Sequence, residues 1–258
     1  MKAFGGQLYD GAPPILIMGA MKVETAFIAE KLNNRREYRL GVWDFAVGEF
    51  DGVTIGVGTT SWGLANVAAS LTLAMEFFRP RAVINEGTAG AHAEDLKRFD
   101  IVIGERTVNM AAWKTDFRLK GQGVDNQKFE KLGIFTYDRE KNKFVQQVYH
   151  EADEKLLSAA KKVCGEYKRG RVTLGTIGTA DSWNMQADWI TFLRETFGTA
   201  AEEMEGDAAA QICAAYGVPF LDVRVISNSV FQGDEDWDTT VGVACQEFVL
   251  DIIKEYVK

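Results

Sequence analysis

Residues 200–230 read AAEEMEGDAAAQICAAYGVPFLDVRVISNSV. Three acids, Glu202, Glu203 and Glu205, surround one methionine where an alanine-rich run begins, and AEEMEGDAAAQICAAYG predicts a helix that starts among them. After Gly217 and Pro219 an apolar stretch of strand length, VPFLDVRVIS, ends on an amide, Asn228. A helix feeding a buried strand whose far end turns polar is the unit of an α/β sheet, in which ligands sit beyond the carboxyl ends of the strands.

The same alternation runs along the chain. PPILIMGAM is a buried strand and KVETAFIAEKLNN the helix it feeds; LANVAASLTLAMEFF is a helix and RAVINEGTAGA a strand running into a glycine turn. YRLGVWDFAVGEFDGVTIGVGTT predicts two or three antiparallel strands with a turn at Asp51-Gly52. Residues 114–150 are polar and predict an irregular excursion. RVTLGTIGTADSW then reads as a strand ending in a polar loop, and TTVGVACQEFVLDIIKEYV as the last helix. The fold class expected is α/β, a three-layer sandwich with a mixed, largely parallel central sheet between helices. With no linker or shift in composition, residues 1–258 are expected to form one domain behind an N-terminal extension, residues 1–13.

The 258 residues carry a net charge of −8, which argues against a nucleic-acid or anionic-membrane surface. Three scattered cysteines without a CxxC pair read as reduced thiols, and no apolar run approaches a signal or a span, so a cytoplasmic location is expected. Only His92 and His150 are present, which rules out a multi-histidine zinc site. The chemistry must rest mainly on carboxylates and amides.

Three polar strand ends and one helix start carry a resemblance: GAMKVE at 19–24, INEGTAGA at 84–91 and VRVISN at 223–228, with EEMEG at 202–206 opening a helix. In their order along the chain they resemble the nucleoside phosphorylase/hydrolase superfamily, and within it the 5′-methylthioadenosine/S-adenosylhomocysteine nucleosidases. The resemblance runs from about Ile15 to the C-terminus and is weakest over 110–150. It implies a homodimer that cleaves the N-glycosidic bond of a small purine nucleoside, with no metal or organic cofactor and no nucleic-acid or membrane partner. Such a cleavage develops positive charge on the ribose and negative charge on the base, so carboxylates belong near the sugar and a donor near the base nitrogen.

Carried over residue by residue, the resemblance makes Glu24 the base that activates water, near Ala20 and Met21. Glu205 receives the ribose hydroxyls and Met204 packs on the sugar, with Glu203 beside them; Thr88, Ala89 and Gly90 form the loop under the substrate. Trp183 stacks on the purine, the backbone of Asn184 reads its edge, and Ser227 and Arg224 orient the carboxylates. By charge alone, Glu24 equally suits an exposed acid complementing a helix start, as do Glu202 and in part Glu203. Asn85 stands where phosphorylases of the superfamily usually show an arginine, and Glu86 beside it would repel phosphate, which favours water as the nucleophile.

Two departures stand out. The nucleosidases end this strand with Ser-Asp, the aspartic acid protonating purine N7, whereas this chain has Asn228, which can donate a hydrogen bond but no proton. That fits an engineered change, a 6-oxopurine phosphorylase, or a paralogue that binds nucleosides without turning them over. Asp234, Asp236 and Asp238 are nearby surrogate acids, though such runs are mostly solvated loops. Met110 stands where the family has a histidine, and Trp113 stands where it would reshape the pocket for the 5′ substituent.

Overall fold

The computed structural model describes residues 9–234 and 236–258. Residues 1–8 of the expected N-terminal extension lie outside the described residues. The first half of the chain forms β1 (Ile15–Gly19), α1 (Lys22–Lys31), β2 (Asn33–Leu40), β3 (Trp43–Phe50), β4 (Val53–Thr59), α2 (Leu64–Phe78), β5 (Ala82–Ala91) and β6 (Ile101–Asn109). Short strands follow: β7 (Trp113–Lys114), β8 (Glu130–Lys131), β9 (Ile134–Asp138), β10 (Lys143–Gln147) and β11 (Tyr149–Glu151). Then come α3 (Glu154–Val163), β12 (Val172–Thr179), α4 (Ala187–Phe197), β13 (Thr199–Glu203), α5 (Gly206–Tyr216), β14 (Phe220–Asn228) and α6 (Gly242–Tyr256).

Strand periodicity builds the layers. On β1, Ile15 and Ile17 face one core with Ile28 of α1, Leu156 of α3 and Phe248 of α6. Leu16 and Met18 face the other, with Leu71 of α2 and Cys213 of α5. Asp51 and Gly52 both take positive φ (49° and 77°), the requirement of a tight hairpin turn, and join β3 to β4.

The expectation of a largely parallel sheet is corrected. β5 pairs with β14, β14 with β6, β6 with β12, β12 with β13, and β13 back with β5, closing a five-stranded barrel. Two of its five pairings, β13–β5 and β14–β6, are antiparallel, as are β2–β3 and β3–β4 beyond it. Helical crossovers signal parallel neighbours, but closure brings together strands far apart in sequence, for which periodicity holds no signal. The 114–150 excursion is also more regular than expected, with β9–β10 and β7–β8 as antiparallel pairs.

Inside the barrel Gly104 is tightly enclosed: a Cβ there would lie 2.9 Å from Ile177 Cδ1 and 3.1 Å from the Asp222 carbonyl oxygen. Gly104→Val therefore overpacks the β6–β14 closure, and we expect a loss of about 1–3 kcal/mol, read as a lower thermal midpoint in calorimetry. An unchanged midpoint would mean that the closure is loose.

Candidate active site

Strand ends converge on one cleft of about 650 Å³. β1 leads to Ala20, Met21 and Glu24; β5 contributes Thr88, Ala89 and Gly90; β13 contributes Glu202 and Glu203, followed by Met204 and Glu205; β14 ends in Ser227 and Asn228. Trp183, in the loop after β12, lines the cleft and is half exposed. Twelve of the fourteen residues that the resemblance places at the site thus share one cavity; Arg224 and Asn184 do not line it.

Glu24 combines both readings of it. Its Oε2 accepts from the backbone N–H groups of Ala20 and Met21 (both 3.0 Å), which caps α1. Its Oε1 accepts from the Thr88 N–H (2.8 Å) and hydroxyl (3.0 Å). The side chain is buried, not the exposed acid that charge alone would allow.

The helix expected to begin among the acids begins after them. Glu202 and Glu203 lie on β13, and α5 starts at Gly206. Glu203 caps α5 from the strand: its Oε2 accepts from the N–H groups of Glu205 and Gly206, both 2.7 Å, and its Oε1 from the Thr179 hydroxyl. A Cβ on Gly206 would collide with the Asp222 carboxylate and lie 3.0 Å from Glu203 Oε1, so only glycine fits. Glu202 does not complement the helix start, and the sequence reading missed its place in the cleft. Its Oε1 accepts from the Asn184 N–H (3.0 Å), and its Oε2 from the Asn184 amide (2.5 Å) and lies 3.0 Å from His92 Nε2. Asn184 therefore spends its N–H on Glu202 rather than presenting it to the cleft.

Arg224 is buried and gathers three acids: Asp222 (2.9 Å), Glu203 (2.6 Å) and Glu205 (3.6 Å). Glu205 also accepts from the Gly63 N–H at 2.9 Å. Burial, and then the Glu203 charge, push Glu205 up to about 8 against the pull of Arg224. Burial likewise pushes Asp222 up to about 7, with Arg224 opposing it. Where a side chain on Gly87 would stand, Glu24 Oε1 and Arg224 Nη1 come within 2.8 and 2.9 Å, so this glycine lets the first acid approach the same cation. Ser227 orients Asn228 rather than a carboxylate, its Oγ lying 2.8 Å from Asn228 Oδ1. With the amide oxygen so engaged, Nδ2 is turned away as a donor.

Two more indoles, Trp62 and Trp237, line the cleft, and Trp237 stands edge-on to Trp183 with centroids 6.5 Å apart. No motif in the sequence flagged either. Asp234 and Asp238 are tied up elsewhere, the first with Arg98 and the second on the Thr240 N–H. Trp113 does not reach the cleft; it packs on Phe192 and Phe197, beside the buried Met110. Asn85 lies 3.3 Å from Asp222, behind the wall. Glu86 is buried and does not line the cleft, so it does not supply the repulsion of phosphate expected of it. Among the described residues no His/Cys/Asp/Glu cluster fit for a metal occurs, and no helix is long and apolar enough to cross a membrane.

Glu86 is fully buried, neither carboxylate oxygen has a hydrogen-bond partner, and burial followed by the Glu24 charge pushes it well above the usual carboxylate range. The folded state then holds a proton that the unfolded chain has lost above about pH 4.5, so this group's contribution to stability declines as pH rises from there. Glu86→Gln cannot ionise. We expect the variant's stability relative to the parent to increase as pH rises above about 4.5, by up to about 1.4 kcal/mol per pH unit, read by calorimetry at several pH values. A constant difference would refute the assignment.

A family model described as the phosphorylase superfamily matches residues 14–258. The chain is 32% identical over 215 residues to a 5′-methylthioadenosine/S-adenosylhomocysteine nucleosidase of Anoxybacillus flavithermus, covering 83% of this chain and 84% of that one. Among solved structures it resembles the nucleosidase of Colwellia psychrerythraea in complex with adenine (TM-score 0.74, 24% identity, 96% and 97% of the two chains). It also resembles that of Neisseria meningitidis in complex with methylthio-immucillin-A (TM-score 0.75, 23% identity, 94% and 99%). At these identities the solved structures establish a common fold.

Proposed function

The chain belongs to the phosphorylase superfamily, in its 5′-methylthioadenosine/S-adenosylhomocysteine nucleosidase family, and from that premise we propose that it hydrolyses the N-glycosidic bond of adenine nucleosides. The substrates in view are 5′-methylthioadenosine, S-adenosylhomocysteine and 5′-deoxyadenosine. One observation carries the reading: Glu24, Glu202, Glu203 and Glu205 all line the cleft, and among the described residues no lysine or arginine does. A phosphate dianion needs a cation to hold it, preferably a bidentate arginine. Arg224, the cation nearest these acids, already serves Asp222, Glu203 and Glu205. Water is the nucleophile such a cleft suits.

In the proposed reaction Glu24 takes a proton from water as its oxygen attacks the anomeric carbon. Glu205 accepts hydrogen bonds from the ribose 2′- and 3′-hydroxyls, and those donors favour its ionised form. The carboxylates stabilise the oxocarbenium-like transition state. Met204 packs on the sugar, Trp183 stacks on the purine, and Asn228 donates to N7. The chain is proposed to act as a homodimer in the cytoplasm.

A panel of adenine and hypoxanthine nucleosides, incubated with and without phosphate and scored for free base, tests the function. We expect adenine release that does not depend on phosphate; release that scales with phosphate and yields ribose 1-phosphate would overturn hydrolysis. For Glu24→Gln we expect kcat for 5′-methylthioadenosine to fall about 10²–10⁴-fold, the usual share of a general base, while adenine still binds in calorimetry. An unimpaired variant would remove Glu24 from the mechanism.

A further inference from the structure

We propose that Glu202, supplied by the buried His92, is the acid that protonates the leaving purine in place of the aspartic acid that Asn228 replaces. The inference rests on the hydrolase reading above and assigns its missing proton. Glu202 Oε1 and Asn228 Nδ2 lie 3.6 and 3.5 Å from the place where a Cβ on Gly90 would stand, so both face the same bare stretch of cleft wall. A group that donates to N7 from Asn228 therefore has a carboxyl group beside it.

Electrostatics decides what that carboxyl group must carry. As the C1′–N9 bond breaks, its electron pair goes to the purine, and an unneutralised Glu202 there would oppose the charge that develops. His92 removes the conflict. It is wholly buried, its Nε2 lies 3.0 Å from Glu202 Oε2, and its Nδ1 lies 2.7 Å from the Thr199 hydroxyl. A hydroxyl both donates and accepts, so Thr199 satisfies Nδ1 whether or not the ring holds a second proton. The ring can gain and lose that proton without leaving a buried atom unpaired. Among the described residues, the side chains in hydrogen-bond contact with the pair, or facing it across Gly90, are Thr199, Asn184 and Asn228, and none of the three carries charge. One shared proton therefore makes the pair neutral.

The step balances. Water's oxygen bonds to C1′ and its proton goes to Glu24, while C1′–N9 breaks. N7 has one lone pair, so the Asn228 hydrogen bond that holds it before reaction gives way as the shared proton passes from Glu202 to N7, leaving His92 neutral and Glu202 ionised. After the base departs, the pair takes a proton from solvent and Glu24 returns one. Glu202 acts as the catalytic acid; His92 is a positioning residue that acts through it.

The experiment is a mutant cycle on 5′-methylthioadenosine, scored by adenine release, with adenine binding as the check on folding. For Glu202→Gln we expect kcat to fall about 10²-fold, the usual share of a general acid, with KM within about threefold, the split of a group used in the transition state. His92→Gln keeps a donor to Glu202 but stores no proton, and we expect it to lower kcat with KM within about threefold, a split that a merely structural role would not give. Asn228→Asp supplies an acid at N7, so adding Glu202→Gln to it should cost little. Unchanged kcat in Glu202→Gln overturns the proposal. So does a change confined to KM or to base preference in both backgrounds, which would make Glu202 a base-reading residue. A double variant as slow as Glu202→Gln that still binds adenine also overturns it, by making the role structural. If neither the parent nor Asn228→Asp releases base from any nucleoside, the hydrolase reading fails and takes the proposal with it.

Discussion

A single buried guanidinium organises the cleft. Arg224 sits on β14, where all nine residues are buried, and draws in Asp222 from its own strand, Glu203 from β13 and Glu205 from the start of α5. A cation so buried is tolerable only because acids surround it, and those acids are tolerable only because of the cation; removing one side of such a set typically costs about 3–5 kcal/mol. The cluster fixes position as well as charge. Glu203 holds the first N–H groups of α5 while it holds Arg224, so the capping of that helix and the placing of Glu205 are one arrangement. Gly87 and Gly206 are the matching absences, each leaving the room that an acid occupies.

Charge is not balanced within this cluster: three acids share one arginine. The excess is partly relieved by protonation, since burial lifts Glu205 to about 8 and Asp222 to about 7. An electronegative cavity that can regain charge when hydroxyl donors arrive suits a reaction in which the sugar becomes cationic. It suits a bound phosphate poorly, although Glu86 does not line the cleft.

Much of this was legible in the sequence because strand ends announce themselves. An apolar run that turns polar marks the carboxyl edge of a sheet, and such ends located the rim; the family resemblance then picked out Glu24, Thr88, Glu205 and Asn228 along it. Closure of the barrel was not legible, because β13 and β5 pair across more than a hundred residues and neither strand encodes its neighbour. Glu202 was misjudged for a local reason. Three acids before an alanine-rich helix look like helix-start charge, but the chain is still extended at Glu203, and in a strand adjacent side chains point to opposite faces. Glu202 thus turns toward His92 and Asn184 while Glu203 turns toward Arg224. Trp62 and Trp237 were missed because an isolated indole in a loop has no periodicity to betray its direction.

The same alternation explains how the two ends of the reaction come to be served by neighbouring residues. One step along β13 separates an acid in the arginine network, on the proposed sugar side, from an acid held by a histidine, on the proposed base side. The sugar side needs charge that stays, and a guanidinium that does not lose its proton keeps the network in place throughout turnover. The base side needs charge that can be discharged as the leaving group becomes negative, and imidazole is the side chain whose proton is exchangeable near neutrality. An amide at position 228 can then hold N7 in place without being the source of its proton. In the proposed reaction, orientation and proton supply are divided between Asn228 and the Glu202–His92 pair.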